Sequence, residues 1–259
     1  MSRPFDLTRF HQLLATRSFG RNFIFEATTG STMDMAREAA ARGAPEGTVA
    51  AADEQTAGRG RLGRAWITPP AVNLTTTLVL RPPLDRMRQV AMIAPLAVAE
   101  SIEEVAGLRA PLKWPNDVIL NGRKVAGVLI ETSVADDGAV TVLVGVGLNV
   151  NFDPRDHPEI RDIATSLRAE LGRDADRELL LASYLLHFER MYEEALAGRS
   201  MRDRWRERLA TLGHQVHVTW PGRTADGIAE DVTEDGSLVV RRADGSRITV
   251  EAGDVTLRA

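Results

Sequence analysis

The chain of 259 residues contains no cysteine. This absence excludes disulfide bonds, thiolate metal sites and a cysteine nucleophile. The five histidines are scattered and predict no zinc site, and no G-x-S-x-G motif marks a nucleophilic serine. If the protein is an enzyme, we expect it to hold anions with cations and hydrogen-bond donors, without a nucleophile of its own.

Long hydrophobic runs are also missing. The longest apolar run covers residues 90–99 and contains Pro95, whereas a membrane span needs about 20 residues. The first residues, MSRPFDLTRF, lack the apolar core of a signal peptide, so we predict a cytoplasmic protein that does not enter a membrane. With 32 basic and 36 acidic residues the net charge is −4, which argues against charge-driven binding of nucleic acids.

Lysine is nearly absent, because arginine supplies all but two of the 32 basic residues. The two lysines, Lys113 and Lys124, lie only eleven residues apart. An ammonium group is a compact charge with three donors, and an arginine fork cannot replace it where space is tight. The pair therefore indicates a binding site, with an accident of composition as the alternative.

Hydrophobic periodicity and turn signals predict an α+β fold with one mixed β-sheet packed against helices. Helices are expected within the first twenty residues, from Ser31 to Gly43, and over 86–106, 174–197 and 200–210. Ser31 is the predicted N-cap of the second helix. Strands are expected near 23–27, 48–53, 73–80 and 139–150, with a hairpin over 118–131 that turns at Asn121-Gly122 and a second turn at 136–138.

The pattern changes at His214. From there, short apolar segments alternate with Pro-Gly and Asp-Gly turns. Such spacing is typical of a small five-stranded β-barrel. We therefore predict a large domain over residues 1–211 and a small barrel over residues 212–259.

The segment AGRGRLGRAW contains three glycines and three arginines. It fits the spacing G-x-G-x-x-G and nearly fits a Walker A motif, but both motifs need a helix directly afterwards, and Pro69-Pro70 argues against one. Glycine lets the backbone approach a ligand closely, and arginine makes bidentate contacts with anions. The segment therefore predicts an anion-binding loop, which we call the arginine loop (residues 58–66). A solvated basic turn and an RNA-binding segment are the alternatives.

Two further segments carry candidate binding residues. In KWPNDV, Lys113, Asn116 and Asp117 flank a Trp-Pro pair, although a capped turn between strands is the plain structural interpretation. Lys124 lies across the adjacent hairpin, on a strand interrupted by Gly127. A lysine over a sheet is costly to desolvate unless it meets an anion, so Lys124 is a candidate anion ligand.

The strand predicted at 139–150 has two different faces. Valines alternate on one face, and Gly145, Gly147 and Asn149 occupy the other. Glycines weaken a strand and often mark the close approach of a ligand or of another backbone. A helix packed on this face would explain them equally well.

Five segments resemble, in order and spacing, those of the biotin–protein ligases: GSTMD (30–34), EQTAGRGRLGRAW (54–66), KWPNDV (113–118), RKVAGVLIE (123–131) and GVGLNVN (145–151). The C-terminal barrel is similar to the SH3-like module of that family. The resemblance implies a reaction in two steps. The biotin carboxylate attacks the α-phosphate of ATP, giving biotinyl-5′-AMP and pyrophosphate. The ε-amine of a lysine on a biotin carboxyl carrier protein then attacks the mixed anhydride and releases AMP.

The same resemblance implies three overlapping sets of site residues. The catalytic residues would be Lys124, Arg59 and Arg61. Biotin would be bound by Ser31, Thr32, Met33, Gln55, Gly58, Arg59, Gly60, Arg61, Lys124 and Gly127. ATP would be bound by Arg61, Arg64, Trp66, Lys113, Asn116, Asp117, Lys124, Asn149 and Arg258, with Trp66 near the adenine. Mg²⁺ would be held mainly through the ATP phosphates rather than by protein side chains.

Two departures from the family pattern matter. Met33 stands where many members carry asparagine, so a polar contact near biotin is missing or is made by the backbone. About twenty residues precede the first predicted strand, too few for the helix-turn-helix domain of many bacterial relatives. We therefore expect the monofunctional form, without DNA binding, and the resemblance makes a homodimer through the sheet edge plausible.

Two other functions compete with this interpretation. Lipoate–protein ligase is thought to share the fold and the acyl-adenylate chemistry, although the arginine loop and KWPND favour biotin. A non-catalytic RNA-binding module is the alternative of another class, and the few aromatic residues, 5%, weigh against it. Because the three arginines repel one another and gain little from burial, we also expect the arginine loop to be mobile in the free protein and ordered around biotinyl-AMP.

Overall fold

A computed structural model describes residues 3–136 and 138–257. Asp137, from the second predicted turn, and Arg258, from the predicted ATP site, lie outside the described residues. The described chain contains a seven-stranded mixed sheet packed with helices and a separate five-stranded antiparallel sheet. The predicted α+β class with a small C-terminal β-module is thereby confirmed.

Seven strands form the larger sheet: β1 (Phe23–Thr29), β2 (Val49–Gln55), β3 (Leu74–Leu80), β4 (Leu112–Lys113), β5 (Asp117–Leu120), β6 (Arg123–Val134) and β7 (Val140–Leu148). They lie in the order β1-β2-β3-β7-β6-β5-β4. β1 and β2 pair in parallel, and the other neighbours pair antiparallel. The Asn121-Gly122 turn joins β5 to β6, and both residues have positive φ, 47° and 76°, as a two-residue hairpin requires.

The helices of the described chain are α1 (Leu7–Leu13), α2 (Thr32–Ala41), α3 (Met87–Ala106), α4 (Leu167–Leu171), α5 (Arg177–Leu196) and α6 (Arg202–Arg208). α2 begins as predicted, because the side chain of Ser31 accepts a hydrogen bond from the backbone N–H of Met33. α3 continues through Pro95 without a break. α4 was not predicted, since five residues are too few to show a helical period.

The two faces of the larger sheet are covered differently. Val142, Val144 and Val146 of β7 are buried in the main core, together with Ile93 of α3 and Phe188 of α5. This confirms the apolar face predicted for that strand. On the opposite face α2 packs on a small cluster formed by Met33, Ala36, Ala50, Val79 and Leu143. The rest of that face, towards β4, is where a pocket forms.

The smaller sheet contains β8 (Gln215–Trp220), β9 (Arg223–Val232), β10 (Leu238–Arg241), β11 (Arg247–Val250) and β12 (Asp254–Leu257). These five strands lie in the order β11-β10-β9-β8-β12 and are antiparallel throughout. The indole N–H of Trp114 donates to the carbonyl of Gly236, 3.0 Å away, and ties this sheet to the KWPND segment. The division into domains at 211/212 stays a prediction.

None of the helices in residues 3–136 and 138–257 combines the length and the hydrophobicity that a membrane crossing requires.

A charged cluster joins α3 to α5. Nδ1 of His187 lies 3.1 Å from Glu100, and Nε2 lies 2.8 Å from Glu104. The hydrogen bond to Glu100, supported by that to Glu104, raises the pKa of His187 above its usual value. Burial opposes ionisation of Glu100, but hydrogen bonds from His187 and Arg204 hold its pKa at about 2.

We expect His187→Gln to lower the free energy of unfolding at pH 6 and to lower it less at pH 9. A raised pKa in the folded state means that protonated His187 stabilises the fold below about pH 6.5, and that this contribution disappears as the pH rises through the folded pKa. Urea unfolding of both proteins at both pH values measures the effect. His214→Gln, at an exposed position, is the control, and an effect of His187→Gln that is independent of pH would contradict the prediction.

Candidate active site

The floor of the pocket is one row of residues that stand opposite one another across six strands. The row consists of Ala52, Thr75, Gly147, Gly127, Asp117 and Lys113. Residues directly opposite in a sheet share a face, so this row faces one side. Its two central positions are glycines and its β5–β4 end is charged. The sequence therefore places a flat surface beside a carboxylate and a lysine.

Trp66 lies on the glycine part of the floor. A methyl group on Gly147 would lie 2.2 Å from Cε2 of the indole, and one on Gly127 would lie 3.5 Å from Cζ3. A methyl group on Gly145 would lie 2.8 Å from Sδ of Met33 in α2. The two glycines of β7 therefore have different neighbours. Helix α2 packs against Gly145, and the side chain of Trp66 from the arginine loop lies on Gly147.

Lys124 extends over the same floor. Its Nζ lies 2.6 Å from Oδ1 of Asp117 and 5.5 Å from the ring centre of Trp66. A methyl group on Gly127 would lie 2.8 Å from both Cε and Nζ of Lys124, so a side chain there would displace the end of the lysine. The backbone N–H of Lys124 donates to Ile163, and its carbonyl accepts from Thr165. Asp117 thus supplies a carboxylate to the Lys124 ammonium group, and binding of a ligand anion by Lys124 stays a prediction.

The arginine loop is a narrow hairpin. The N–H of Trp66 donates to the carbonyl of Gly58, 2.9 Å away, and the N–H of Gly60 donates to that of Arg64, 2.7 Å away. A methyl group on Gly58 would lie 2.5 Å from the carbonyl oxygen of Trp66, so the two sides of the hairpin approach each other only because Gly58 is a glycine. The loop opens no long helix, in agreement with the rejection of both nucleotide-binding motifs.

Each arginine of this loop has a polar partner. Arg59 makes a bidentate pair with Asp34 at 2.7 and 2.9 Å, which lowers the pKa of that carboxyl. Arg61 donates to Oδ1 of Asn116 and to the carbonyl of Gly253, at 3.0 and 3.1 Å.

Arg64 pairs with Asp254 of β12, and Arg61 lies 3.8 Å from the same carboxylate. Burial lowers the pKa of Arg61, against the attraction of Asp117. The first turn of α2 and the start of β12 thus supply carboxylates to the arginine loop. Mobility of the loop itself stays a prediction.

A polar group of side chains lies at the N-terminus of α2. Oε1 of Gln55 accepts hydrogen bonds from the backbone N–H of Thr32 at 2.8 Å and from its hydroxyl at 3.1 Å. Ser31 is buried beside them as the N-cap. These side chains provide hydrogen-bonding groups beside the apolar Met33.

A pocket of about 820 Å³ brings most of the predicted residues together. Its walls include Ser31, Thr32, Met33, Gln55, Arg59, Gly60, Arg61, Arg64, Trp66, Lys113, Asn116, Asp117, Lys124, Gly127 and Asn149. Gly58 does not line the pocket, because it pairs with the backbone of Trp66. Arg258 lies outside the described residues. The amide of Asn149 donates to the carbonyl of Thr165 at 3.0 Å, so this side chain supports the wall formed by residues 159–164.

Three residues in or beside the site, Asp254, Thr75 and Thr77, were not predicted from the sequence. Asp254 lies at the pocket, but nothing in its local sequence links it to the arginine loop. Thr75 and Thr77 face the same side of β3 as the glycines of β7. Their signal was the run Thr75-Thr76-Thr77, since three hydroxyls are unusual in a buried central strand.

Family comparisons define the class of protein first. Residues 25–151 match the model described as "Biotin/lipoate A/B protein ligase family", and residues 211–258 match "Biotin protein ligase C terminal domain". The chain is 34% identical over 254 residues to a biotin--[acetyl-CoA-carboxylase] ligase of Mycobacterium tuberculosis, covering 94% of this chain and 92% of that one. It is also 34% identical over 249 residues to the bifunctional ligase/repressor BirA of Bacillus subtilis, covering 94% of this chain and 76% of that one.

Structural comparison agrees. A biotin protein ligase from Aquifex aeolicus, solved in complex with biotin and ATP, superimposes with a TM-score of 0.79 at 30% identity, covering 92% of this chain and 99% of that one. The chain belongs to the biotin protein ligase family. The resemblance found in the sequence is thus confirmed, and the names of these relatives give no support to the lipoate alternative.

We expect Gly147→Ala to displace the Trp66 ring, because the new methyl group would lie 2.2 Å from the indole. The displacement should change the tryptophan fluorescence and near-UV circular dichroism, and the change should vanish when Gly147→Ala is made in a Trp66→Phe background. Gly30→Ala is the matched control, since a methyl group there meets nothing within 4 Å. Unchanged spectra in the Gly147→Ala protein would contradict the geometry.

We expect Asp254→Asn to speed amide hydrogen exchange across residues 58–66 when no ligand is added, because Arg61 and Arg64 lose their shared carboxylate. Exchange in β3 should not change. Hydrogen–deuterium exchange with mass spectrometry measures both segments. Asp244→Asn, in an exposed turn of the same small sheet, is the control, and equal exchange in the wild type and Asp254→Asn would show that Asp254 does not hold the loop.

Proposed function

We propose that this chain activates biotin with ATP to biotinyl-5′-AMP and transfers the biotin to a lysine of a biotin carboxyl carrier protein. The observation that carries the proposal is the position of Lys124, which lies on the glycine part of the floor and faces Asp117 and Trp66. The glycines give room for the flat ring of Trp66, which lines the pocket, and the ammonium group gives a positive charge beside it.

The first step joins two anions, so its electrostatics are decisive. A carboxylate has to approach a triphosphate, and fixed positive charges lower the barrier to this approach most where water is excluded. Lys113, Lys124, Arg61 and Arg64 all line one pocket. In the described chain no carboxylate lies within 4.0 Å of the Lys113 ammonium group, so its charge is available to phosphate. Lys124 can exchange Asp117 for the carboxylate of biotin and the α-phosphate.

The ureido ring of biotin is assigned to the polar end of the pocket. Ser31, Thr32 and Gln55 provide hydroxyl and amide groups there, and a ureido ring needs both donors and acceptors. Met33 is buried against Gly145 and therefore packs α2 on the sheet. The polar contact that asparagine makes in other members is not supplied by this side chain.

The nucleotide is assigned to the half of the pocket between the KWPND segment and the arginine loop. Asn116 is held by Arg61 and donates to the carbonyl of Val128 at 2.5 Å, so it positions the arginine. Within the described residues the buried indole N–H of Trp66 has no hydrogen-bond partner, which fits a ring that meets a polar ligand such as adenine nucleotide.

Mg²⁺ is expected to enter with the phosphates of ATP. In residues 3–136 and 138–257 no group of three or more His, Asp or Glu side chains could hold a metal ion, and Mg²⁺ commonly binds through one carboxylate and substrate phosphates. Asp117 is the carboxylate nearest to Lys124 and is the one we assign to the metal side. Bound there, Mg²⁺ would neutralise part of the phosphate charge.

The second step needs an amine from outside the chain. Among the described residues that line the pocket there is no serine–histidine pair and no cysteine to serve as a nucleophile. Its two lysines are assigned to anion binding. The ε-amine of the carrier lysine therefore attacks the mixed anhydride and AMP leaves. A homodimer through the sheet edge, the absence of DNA binding and a cytoplasmic location stay predictions.

We expect Lys124→Ala to reduce biotin-dependent ATP–pyrophosphate exchange by about two orders of magnitude or more, because a group aimed at developing charge is removed. Lys124→Arg should not restore it, since the planar guanidinium does not reproduce the compact ammonium charge that lies 2.6 Å from Asp117. Arg42→Ala, which removes an exposed positive charge at the end of α2, is the matched control. Full exchange in Lys124→Ala would contradict the proposal, and exchange with lipoate but not biotin would replace the substrate.

A further inference from the structure

A chain of hydrogen bonds connects β3 to the polar end of the pocket. Thr77 is fully buried, and its Oγ1 lies 2.9 Å from Oγ1 of Thr32. Oγ1 of Thr32 lies 3.1 Å from Oε1 of Gln55, which also accepts from the backbone N–H of Thr32 at 2.8 Å. A buried hydroxyl is unfavourable unless it is hydrogen bonded, and within the described residues the partner of Thr77 is Thr32.

The direction of these hydrogen bonds follows from one group, the backbone N–H of Thr32. That N–H can only donate, so the atom of Gln55 that faces it is the carbonyl Oε1. The hydroxyl of Thr32 has to donate to the same oxygen, since two acceptors do not attract each other. A hydroxyl has one proton, so towards Thr77 the Thr32 oxygen accepts and Thr77 donates.

This arrangement determines what the two side chains present to a ligand. The proton of Thr32 is directed at Gln55, so Oγ1 of Thr32 has only a lone pair left for the pocket. Oε1 of Gln55 already accepts two hydrogen bonds, so the amide group can offer a ligand only its Nε2 donors. The described partner of Nε2 is Oγ1 of Thr68, at the long distance of 3.5 Å. An acceptor thus lies beside a donor.

We propose that Thr77 is a positioning residue for ligand recognition, which holds Thr32 as an acceptor and Gln55 as a donor towards the ureido group. The proposal rests on the proposed function. A cyclic urea carries N–H groups beside a carbonyl oxygen and pairs with both side chains. A dithiolane ring has no N–H, so it would leave the lone pair of Thr32 unpaired, which is unfavourable in a buried site.

Thr77→Val tests this role because valine keeps the shape of threonine and replaces the hydroxyl, with its donated hydrogen bond, by a methyl group. We expect the KM for biotin in ATP–pyrophosphate exchange to rise about three- to tenfold, as for one neutral hydrogen bond. The KM for ATP and kcat should stay unchanged. Thr77→Ser keeps the hydroxyl and should restore the KM for biotin, which also controls for a change in packing.

A double-mutant cycle separates this role from a general effect on the sheet. If Thr77 acts through Thr32, Thr77→Val should add no further rise in the KM for biotin in a Thr32→Val background. An equal further rise there, an equal rise in both KM values, or no rescue by Thr77→Ser would overturn the proposal. A Thr77→Val protein that matches the wild type would also overturn it and leave the proposed function intact. Absence of biotin-dependent exchange in the wild type would contradict the proposed function itself, and the role of Thr77 with it.

Discussion

The structure of the site depends on two glycines that face each other across neighbouring strands. Gly147 and Gly127 are direct partners in the pairing of β7 with β6. A methyl group on Gly147 would overlap the Trp66 ring, and one on Gly127 would displace the end of Lys124. Since no side chain rises from this part of the sheet, the indole of Trp66 and the stem of Lys124 can both lie on it. The position of Trp66 then fixes one end of the arginine loop. At that end the N–H of Trp66 donates to the carbonyl of Gly58 on the other side of the hairpin.

Charge compensation is the second constraint. Four cations that line the pocket are paired with groups from other parts of the fold: Arg59 with α2, Arg61 with the KWPND segment, Arg64 with β12, and Lys124 with β5. Most of these pairs are partly exposed, so each stabilises the fold little. Such pairs hold the cations in place and can be exchanged for the more highly charged phosphates without breaking a core. The small sheet therefore takes part in the site through Gly253 and Asp254.

Local features were predictable from the sequence, because they depend on neighbours along the chain. The N-cap at Ser31, the turn at Asn121-Gly122 and the alternating valines of β7 are all set within a few residues. Most of the predicted site residues also line one pocket, since their motifs end on neighbouring strands. What could not be predicted are contacts between distant segments. Asp254 lies 190 positions after Arg64, and its carboxylate can pair with that arginine only once the small sheet has packed.

The same reason applies to the partners of the arginine loop. Three arginines in a glycine-rich segment do repel one another, but the carboxylates that neutralise two of them, at Asp34 and Asp254, are invisible until the chain is folded. Thr77 shows the opposite case. Its hydroxyl was present in the sequence as part of a threonine run, yet its importance follows only from its distance to Thr32.

The central claim is that the glycine floor and Lys124 form one site in which a biotinyl group and a nucleotide phosphate meet. A crystal structure with a stable analogue of biotinyl-5′-AMP tests this most directly. The account predicts that the bicyclic ring lies beside Thr32 and Gln55, and that the phosphate lies within hydrogen-bonding distance of the Lys124 ammonium group. A phosphate bound away from Lys124, or a ring bound away from Thr32 and Gln55, would contradict it.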